Sequence, residues 1–253
     1  MAVLAQPVLA LGGSQSSANS GLSAHLVMVL SREGNRHGAC TGTVVASNVV
    51  LTAAHCVAGK KQVVVAYAES GSHVLQRVVA RALHPGFSRN ASVSVDVALI
   101  RLERPLPARL SPLPIDRGES DHAIGASRLV AGFGMQREND EASAGTLRSA
   151  NMQVLPRLFP RFMRLGTSVD AELSDAAICT GDSGGPVLDR SESPPRIVGV
   201  IYGRERFGSA KSCGTIAQAV RLAPQRQWID ATLAKFSGGA APRPSREPLS
   251  LQR

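Results

Sequence analysis

The chain contains a series of short runs rich in Val, Ile and Thr, and Gly, Ser, Asn or Pro closes each run within a few residues. Such runs favour β-strands because branched side chains fit a pleated, half-buried surface. In the N-terminal half they predict strands over 25–30, 40–45, 48–52, 62–68, 74–83 and 96–102. Their spacing of about ten residues is typical of an all-β barrel or sandwich.

A second series of runs follows a proline-rich segment at 103–120, which cannot form a central strand. It predicts strands over 127–133, 147–155, 186–188, 196–202 and 215–220. Polar or irregular composition predicts a turn at 31–37 and surface loops at 136–144 and 157–175. Near the C-terminus, Pro224 to Phe236 predicts a helix with Ile229, Leu233 and Phe236 on one face.

The segment 179–186 reads Cys-Thr-Gly-Asp-Ser-Gly-Gly-Pro and places three glycines around Ser183. Glycine permits turns that a Cβ would block, and it lets the backbone approach a substrate closely. A serine hydroxyl is a weak nucleophile, so this hypothesis requires a histidine base and a third group that orients the histidine. His55 lies upstream beside Cys56, and Asp96 opens the apolar run at 96–102.

Composition limits the remaining classes of function. The 253 residues are 43% hydrophobic and carry a net charge of +9, from 24 arginines and 4 lysines against 19 acidic residues. The arginines are scattered and no nucleic-acid motif accompanies them, so we predict no specific nucleic-acid partner; a polyanion-binding protein is the alternative. No run of 18 or more apolar residues exists, so we predict no membrane span.

Four cysteines permit two disulfides and three pairings. Disulfides indicate an oxidising compartment, although the apolar segment 1–11 is at best the remnant of an export signal. A metal site would require close cysteine pairs with C-x-x-C spacing, and the sequence has none. We therefore predict no metal site and no cofactor.

With His55, Asp96 and Ser183 in this order, and a cysteine next to His55 and another before Ser183, the sequence resembles the chymotrypsin/trypsin family of serine endopeptidases. The resemblance implies an all-β fold of two six-stranded antiparallel β-barrels, with a C-terminal helix docked on the second barrel. It also implies a secreted or periplasmic monomer with polypeptide substrates and protein inhibitors as partners. The domains expected are a leader or activation segment at 1–13, a barrel at 14–110, a linker at 111–122, a barrel and helix at 123–236, and a disordered tail at 237–253.

The same resemblance assigns roles to the residues of the site. His55 takes the proton of Ser183, Asp96 holds the imidazole in the required tautomer, and the N–H groups of Gly181 and Ser183 form the oxyanion hole. The expected disulfides join Cys40 to Cys56 and Cys179 to Cys213, because each staples a loop that carries a catalytic candidate.

Two further expectations concern activation and specificity. Asp182 would form a salt bridge with the free amine of Ala10 after cleavage of the N-terminal segment. The primary substrate pocket would be formed by Ala177, Ile178, Tyr202, Gly203 and Gly214.

Trypsin-like enzymes carry an acid where Ala177 stands, so the pocket predicts cleavage after apolar or aromatic residues. The alternative is that Asp175 or Glu205 reaches a basic substrate from the rim. Ile201 replaces a serine that usually braces the catalytic aspartate. This substitution leaves open a catalytically silent homologue that binds a partner through the same cleft.

Overall fold

A computed structural model describes residues 21–91, 94–120, 122–137, 139–156, 159–166, 177–205 and 213–238. The first six strands are β1 Leu26–Glu33, β2 Arg36–Ala46, β3 Val49–Thr52, β4 Gln62–Glu69, β5 Ser72–Leu83 and β6 Ala98–Leu102. The next six are β7 Ser127–Gly132, β8 Arg148–Leu155, β9 Phe162–Gly166, β10 Pro186–Asp189, β11 Arg196–Glu205 and β12 Ile216–Arg221. The α-helices among these residues are α1 Ala54–Val57 and α2 Arg226–Gly238.

The strands close into two antiparallel barrels, as the family resemblance implies. The first barrel has the order β1-β2-β3-β6-β5-β4, and the second has the same order shifted by six strands, β7-β8-β9-β12-β11-β10. Each barrel is therefore one copy of a structural repeat that no sequence repeat reveals. Closure also removes the unpaired sheet edges that would invite aggregation.

The turn between β1 and β2 is shorter than the polar composition of 31–37 predicts. Arg32 pairs with His37 and Glu33 with Arg36, so only Gly34 and Asn35 remain in the turn. Gly34 has a φ of +60°, a conformation that suits glycine in a two-residue hairpin turn. The polar side chains lie on exposed strand ends, so polarity alone misplaces the turn.

Strand β9 corrects the prediction of a surface loop over 157–175. Its backbone pairs with β12 along Phe162 to Leu165 and with β8 along Arg164 to Gly166. Met163 and Leu165 are fully buried, whereas Arg164 between them points away from the core. This alternation is that of a barrel strand, and the prolines and arginines that precede it hide it in the sequence.

Helix α2 packs against β6 of the first barrel, a contact that the expectation of docking on the second barrel did not include. Ile229 is fully buried in a core that is continuous with the N-terminal strands. The Trp228 ring meets the His84 ring edge-on at 4.9 Å, and the Arg101 guanidinium lies 5.9 Å from the centre of the Phe236 ring. The helix thus ties the C-terminal end of the chain to β6.

The predicted segment boundaries are tested only in part. The leader or activation segment at 1–13 lies outside the described residues, and so does most of the predicted tail. The tail cannot begin at residue 237, because α2 continues to Gly238 and the Ser237 hydroxyl donates a hydrogen bond to the Leu233 carbonyl. Within the described part of the chain, no helix is long and apolar enough to cross a bilayer.

Candidate active site

His55 and Asp96 meet at the edge of the first barrel. His55 lies in the short helix α1 directly after β3, and Asp96 lies two residues before β6, the strand that pairs with β3. His55 Nδ1 lies 2.6 Å from Asp96 Oδ2, and the His55 backbone N–H donates to Asp96 Oδ1 at 2.8 Å. The imidazole side chain is 38% exposed and the carboxylate 11%. Asp96 therefore holds Nδ1, and Nε2 is the ring nitrogen that the carboxylate leaves uncontacted.

Ser183 comes to the same cleft from the second barrel. The Cys56 sulfur lies 3.6 Å from His55 Nε2 and 3.8 Å from the Ser183 carbonyl oxygen. Among the hydrogen bonds between described residues, none joins the Ser183 hydroxyl to His55. The structure thus brings all three predicted residues into one region, with the Asp96–His55 contact made and the His55–Ser183 contact not made.

Thr41 joins the loop that carries Ser183, residues 179–186 and here called the serine loop, to the first barrel. Its backbone N–H donates to the Ser183 carbonyl at 2.8 Å, and its hydroxyl donates to the Gly181 carbonyl at 2.9 Å. The same hydroxyl accepts the Phe133 N–H at 3.0 Å. Sequence reasoning missed this residue, and its place between Cys40 and Gly42 in a half-cystine segment was the available signal.

The backbone N–H groups of Gly181 and Ser183 donate to no described residue. Gly181 has a φ of +103°, and a Cβ there would lie 2.8 Å from the Gly134 Cα. Both the conformation and the packing therefore require glycine. Two neighbouring donors without an acceptor can bind an oxygen that acquires negative charge.

Asp182 is buried beneath this loop, with 1% of its surface exposed. Its Oδ1 accepts the Gly134 N–H and its Oδ2 accepts the Cys179 N–H, both at 2.9 Å. Burial raises the pKa of this carboxyl to about 6, although both hydrogen bonds and the charges of Arg148 and Arg204 oppose the rise. Ala10, its predicted partner, lies outside the described residues.

The predicted pocket residues fall into two groups. Ile178 and Gly214 exchange two backbone hydrogen bonds of 2.7 and 2.9 Å, next to the fully buried Ala177. Tyr202 instead lines a cavity together with His55 and Asp96, with its ring 5.8 Å from that of Phe162.

The rim of this predicted pocket carries Arg204 and Glu205, which follow Gly203. The Glu205 carboxylate binds the Arg164 guanidinium through two contacts of 2.6 Å. The Glu205 carboxylate, which was the alternative partner for a basic substrate side chain, is therefore already paired with Arg164. Asp175, the other acid considered, lies outside the described residues. The Arg204 side chain packs over Gly214 and reaches the Thr180 hydroxyl at 3.5 Å.

The cysteines pair as the resemblance implies, Cys40 with Cys56 and Cys179 with Cys213, with Cα separations of 6.2 and 4.6 Å. The sulfurs of Cys40 and Cys56 also lie within 4.8 Å of a His55 ring nitrogen. A metal prefers thiolate ligands, and sulfurs bonded to each other do not provide them. This cluster is therefore a structural bridge beside the imidazole.

Ile201 stands where a hydroxyl was expected to brace Asp96. Its side chain is fully buried in the core of the second barrel, and its backbone bonds to Gly184 and Gly185 of the serine loop. Of the described residues, only His55 donates a hydrogen bond to the Asp96 carboxylate. Ile201 thus supports the loop through its backbone and leaves the carboxylate to the imidazole.

A sequence model of the family described as Trypsin matches residues 10–229, which is most of the chain. The chain belongs to the trypsin family. Trypsin-family proteins are typically secreted serine endopeptidases that act on polypeptides, and the chain is a serine-type endopeptidase of this family. Its two disulfides agree with an oxidising compartment.

Individual relatives of this trypsin-family chain are distant in sequence. Trypsin alpha of Drosophila erecta is 31% identical over 216 residues, covering 80% of each chain. Kallikrein-8 of Rattus norvegicus is 28% identical, covering 78% of this chain and 77% of its own. Chymotrypsin of Phaedon cochleariae is 24% identical, covering 80% and 75%.

Proposed function

We propose that the chain hydrolyses peptide bonds through an acyl-enzyme, with Ser183 as nucleophile, His55 as general base and Asp96 as the group that orients the imidazole. The observation that carries this proposal is the Asp96–His55 pair, joined at 2.6 Å and facing the loop of Ser183 across the cleft. Because Nδ1 is held by the carboxylate, Nε2 is the nitrogen left to accept a proton. Catalytic hydrogen bonds are often long before substrate binds, which accommodates the open His55–Ser183 contact.

In the proposed reaction, Ser183 Oγ forms a bond to the scissile carbonyl carbon while its proton passes to His55 Nε2. The N–H groups of Gly181 and Ser183 bind the resulting oxyanion, and each such donor contributes about 3 kcal/mol in comparable sites. The C–N bond then breaks as the imidazolium returns the proton to the leaving amine. A water molecule then gives a proton to the same imidazole and bonds to the acyl carbon. The acyl C–Oγ bond breaks, the imidazolium returns the proton to Ser183 Oγ, and the acid product leaves.

We propose a preference for apolar or aromatic residues before the cleaved bond. Ala177 and Ile178 contribute no charge to the primary pocket, and Glu205 is paired with Arg164. The Arg204 guanidinium near Thr180 would also repel a basic side chain. A buried, unpaired substrate cation would cost several kcal/mol, about the scale of one unsatisfied charge.

The buried Asp182 carboxylate supports the further proposal that an ammonium freed by cleavage before Ala10 pairs with it. Burial raises its pKa to about 6 against the opposing charges of Arg148 and Arg204, so a directly paired ammonium would further stabilise the ionised form. We also propose that the protein is a monomer and is secreted or released into the periplasm. Protein inhibitors would be further partners that bind in the cleft.

A catalytically silent homologue that binds a partner is the second candidate. The absence of a serine hydroxyl at Ile201 and the open contact between Ser183 and His55 favour it. A fluorophosphonate probe separates the candidates, since it forms a covalent bond only with an activated serine.

We expect the processed protein to be labelled, Ser183→Ala to abolish the label, and the loop variant Ser191→Ala to retain it. His55→Ala should reduce peptide hydrolysis by about six orders of magnitude. Processed, folded protein that resists the probe would establish the silent homologue.

A further inference from the structure

A cavity of about 350 Å³ opens beside the Asp96–His55 pair. Its walls include two aromatic rings, those of Phe87 and Tyr202, and its rim includes two cations, Lys60 and Arg89. This volume is within the range of pockets that hold one side chain or small ligand, about 300–1,000 Å³. Of the residues predicted for the primary pocket, Tyr202 lines this cavity, whereas Ala177, Ile178 and Gly214 do not.

Four charged side chains lie in or beside this cavity, the cations Lys60 and Arg89 and the carboxylates Asp96 and Glu33. Asp96 is the one acid among the described residues that line it, and its hydrogen bonds are with His55. Lys60 Nζ bonds to Glu33 Oε2 at 3.0 Å, and Glu33 lies outside the lining with a side chain 46% exposed. Of these two carboxylates, Asp96 is held by His55, and Glu33 is the solvent-exposed one that the two cations share.

The positions of the two cations are set by the fold. The Lys60 carbonyl accepts a hydrogen bond of 2.6 Å from Arg81 of β5, which also binds the Val57 carbonyl at 3.1 Å. The Arg89 guanidinium packs over Gly59, where a Cβ would lie 2.7 Å from Nη2. The turn 57–60 therefore carries one cation and supports the other.

Glu33 experiences several of these charges together. The hydrogen bond from Lys60 and then its charge lower the pKa of Glu33, and the charges of Arg89 and Arg36 contribute in the same direction. The rim of the cavity therefore belongs to a wider basic surface in which cations outnumber carboxylates.

We propose that this cavity binds an acidic side chain of the polypeptide substrate close to the cleaved bond, with Lys60 and Arg89 as the residues that select it. The inference rests on the proposed function and adds a substrate preference to it. The aromatic walls would contact the methylene groups of Glu, while its carboxylate would reach the rim. Exposed ion pairs contribute little singly, so the two cations together predict a preference of about three- to tenfold.

The first test measures kcat/KM for a series of peptides that share one sequence. Glu, Gln or Lys is placed in turn at each of the two residues before the cleaved bond and each of the two residues after it. We expect Glu to exceed Gln by about three- to tenfold at one position, with Lys the poorest there. The advantage should shrink as salt is raised from low to molar ionic strength, because the cations are at the surface. Equal rates for Glu and Gln at every position would overturn the inference.

Charge variants then assign the effect to residues. Arg89→Gln and Lys60→Gln should each reduce the Glu-to-Gln ratio about twofold or more, whereas Glu33→Gln should raise it by freeing Lys60. Arg190→Gln is the matched control, since this exposed arginine bonds Asn151 on the second barrel. A ratio unchanged in both Arg89→Gln and Lys60→Gln would contradict the assignment.

Failure of the proposed function is recognised separately. If neither a fluorophosphonate nor any peptide reacts, the protein is not a peptidase, and the acid preference is decided by binding instead. Fluorescence anisotropy of the Glu and Gln peptides on Ser183→Ala protein gives that readout without catalysis. Tighter binding of the Glu peptide supports the inference, and equal binding overturns it.

Discussion

Asp182 illustrates how one buried carboxyl makes the stability of the fold depend on pH. Its pKa in the folded chain is about 6, above the ordinary 3.8, so the folded state binds a proton more tightly than the unfolded state. Stability contributed by this group therefore increases as pH falls from 6 towards 4.

We expect uncleaved protein to gain up to about 3 kcal/mol of unfolding free energy over that interval, relative to Asp182→Asn, in urea titrations. In protein cleaved before Ala10, a paired ammonium should lower the pKa and reverse the trend. A carbon-13 titration of the Asp182 carboxyl in wild-type protein checks the same value without the variant. A folded-state pKa below 4 in uncleaved protein would contradict the prediction.

Thr41 provides a second prediction for a single residue. In Thr41→Val the Gly181 carbonyl and the Phe133 N–H lose their partner, at about 1–3 kcal/mol for each buried group left unpaired. Because Gly181 is a proposed oxyanion donor, we expect kcat/KM to fall about tenfold or more with little change in KM.

Thr43→Val is the matched control for this substitution. Thr43 is equally buried in β2, but its hydroxyl has no hydrogen-bond partner among the described residues. Its replacement should change stability by less than about 0.5 kcal/mol and leave kcat unchanged. Equal effects of the two substitutions would show that the Thr41 hydroxyl does not position the loop.

At the scale of elements, α2 stabilises the fold by packing on the first barrel. Ile229 is fully buried at the contact, so Ile229→Ala should lower the unfolding free energy by about 2–5 kcal/mol, measured by denaturant unfolding. Lys235→Ala, at an exposed position of the same helix, should change it by less than about 0.5 kcal/mol. The helix does not touch the cleft, so kcat/KM of folded Ile229→Ala should stay within about twofold of wild type. If Ile229→Ala lowers the unfolding free energy as little as Lys235→Ala does, packing of the helix does not stabilise the fold.

For the whole molecule, the contact between the barrels assembles the site. Gly184 has a φ of +86°, and a Cβ there would overlap the Thr41 carbonyl oxygen and the Thr52 hydroxyl of the other barrel. Gly184→Ala should therefore separate the serine loop from the first barrel and reduce kcat/KM at least about a hundredfold.

Gly125→Ala is the control for backbone strain in this experiment. Gly125 has nearly the same φ, +85°, with open space around it, so its replacement carries only the cost of a left-handed conformation, about 1–2 kcal/mol. Stability and activity of both variants, measured side by side, separate strain from barrel contact. Retained activity in Gly184→Ala would contradict the role given to the contact.

Local sequence was sufficient for most strands and for the candidate residues. Runs of Val, Ile and Thr predicted eleven of the twelve strands, because alternating burial in a barrel demands such side chains. Local sequence did not predict β9, where Met163 and Leu165 lie among prolines and arginines. It also misplaced the hairpin turn at Gly34, because the strand ends beside it are polar. In both places pairing with a distant strand overrides local composition.

What the sequence by itself determined was chemical identity: a serine among glycines, a histidine beside a half-cystine and a carboxylate before an apolar run. Only the tertiary structure decided which of these residues lie close together. It showed that Thr41 hydrogen-bonds the serine loop, that α2 packs on the first barrel, and that Lys60 and Arg89 line one cavity. Residue types follow from local chemistry, which the chain states directly. Contacts between residues far apart in sequence depend on closure of two barrels, which no local pattern encodes.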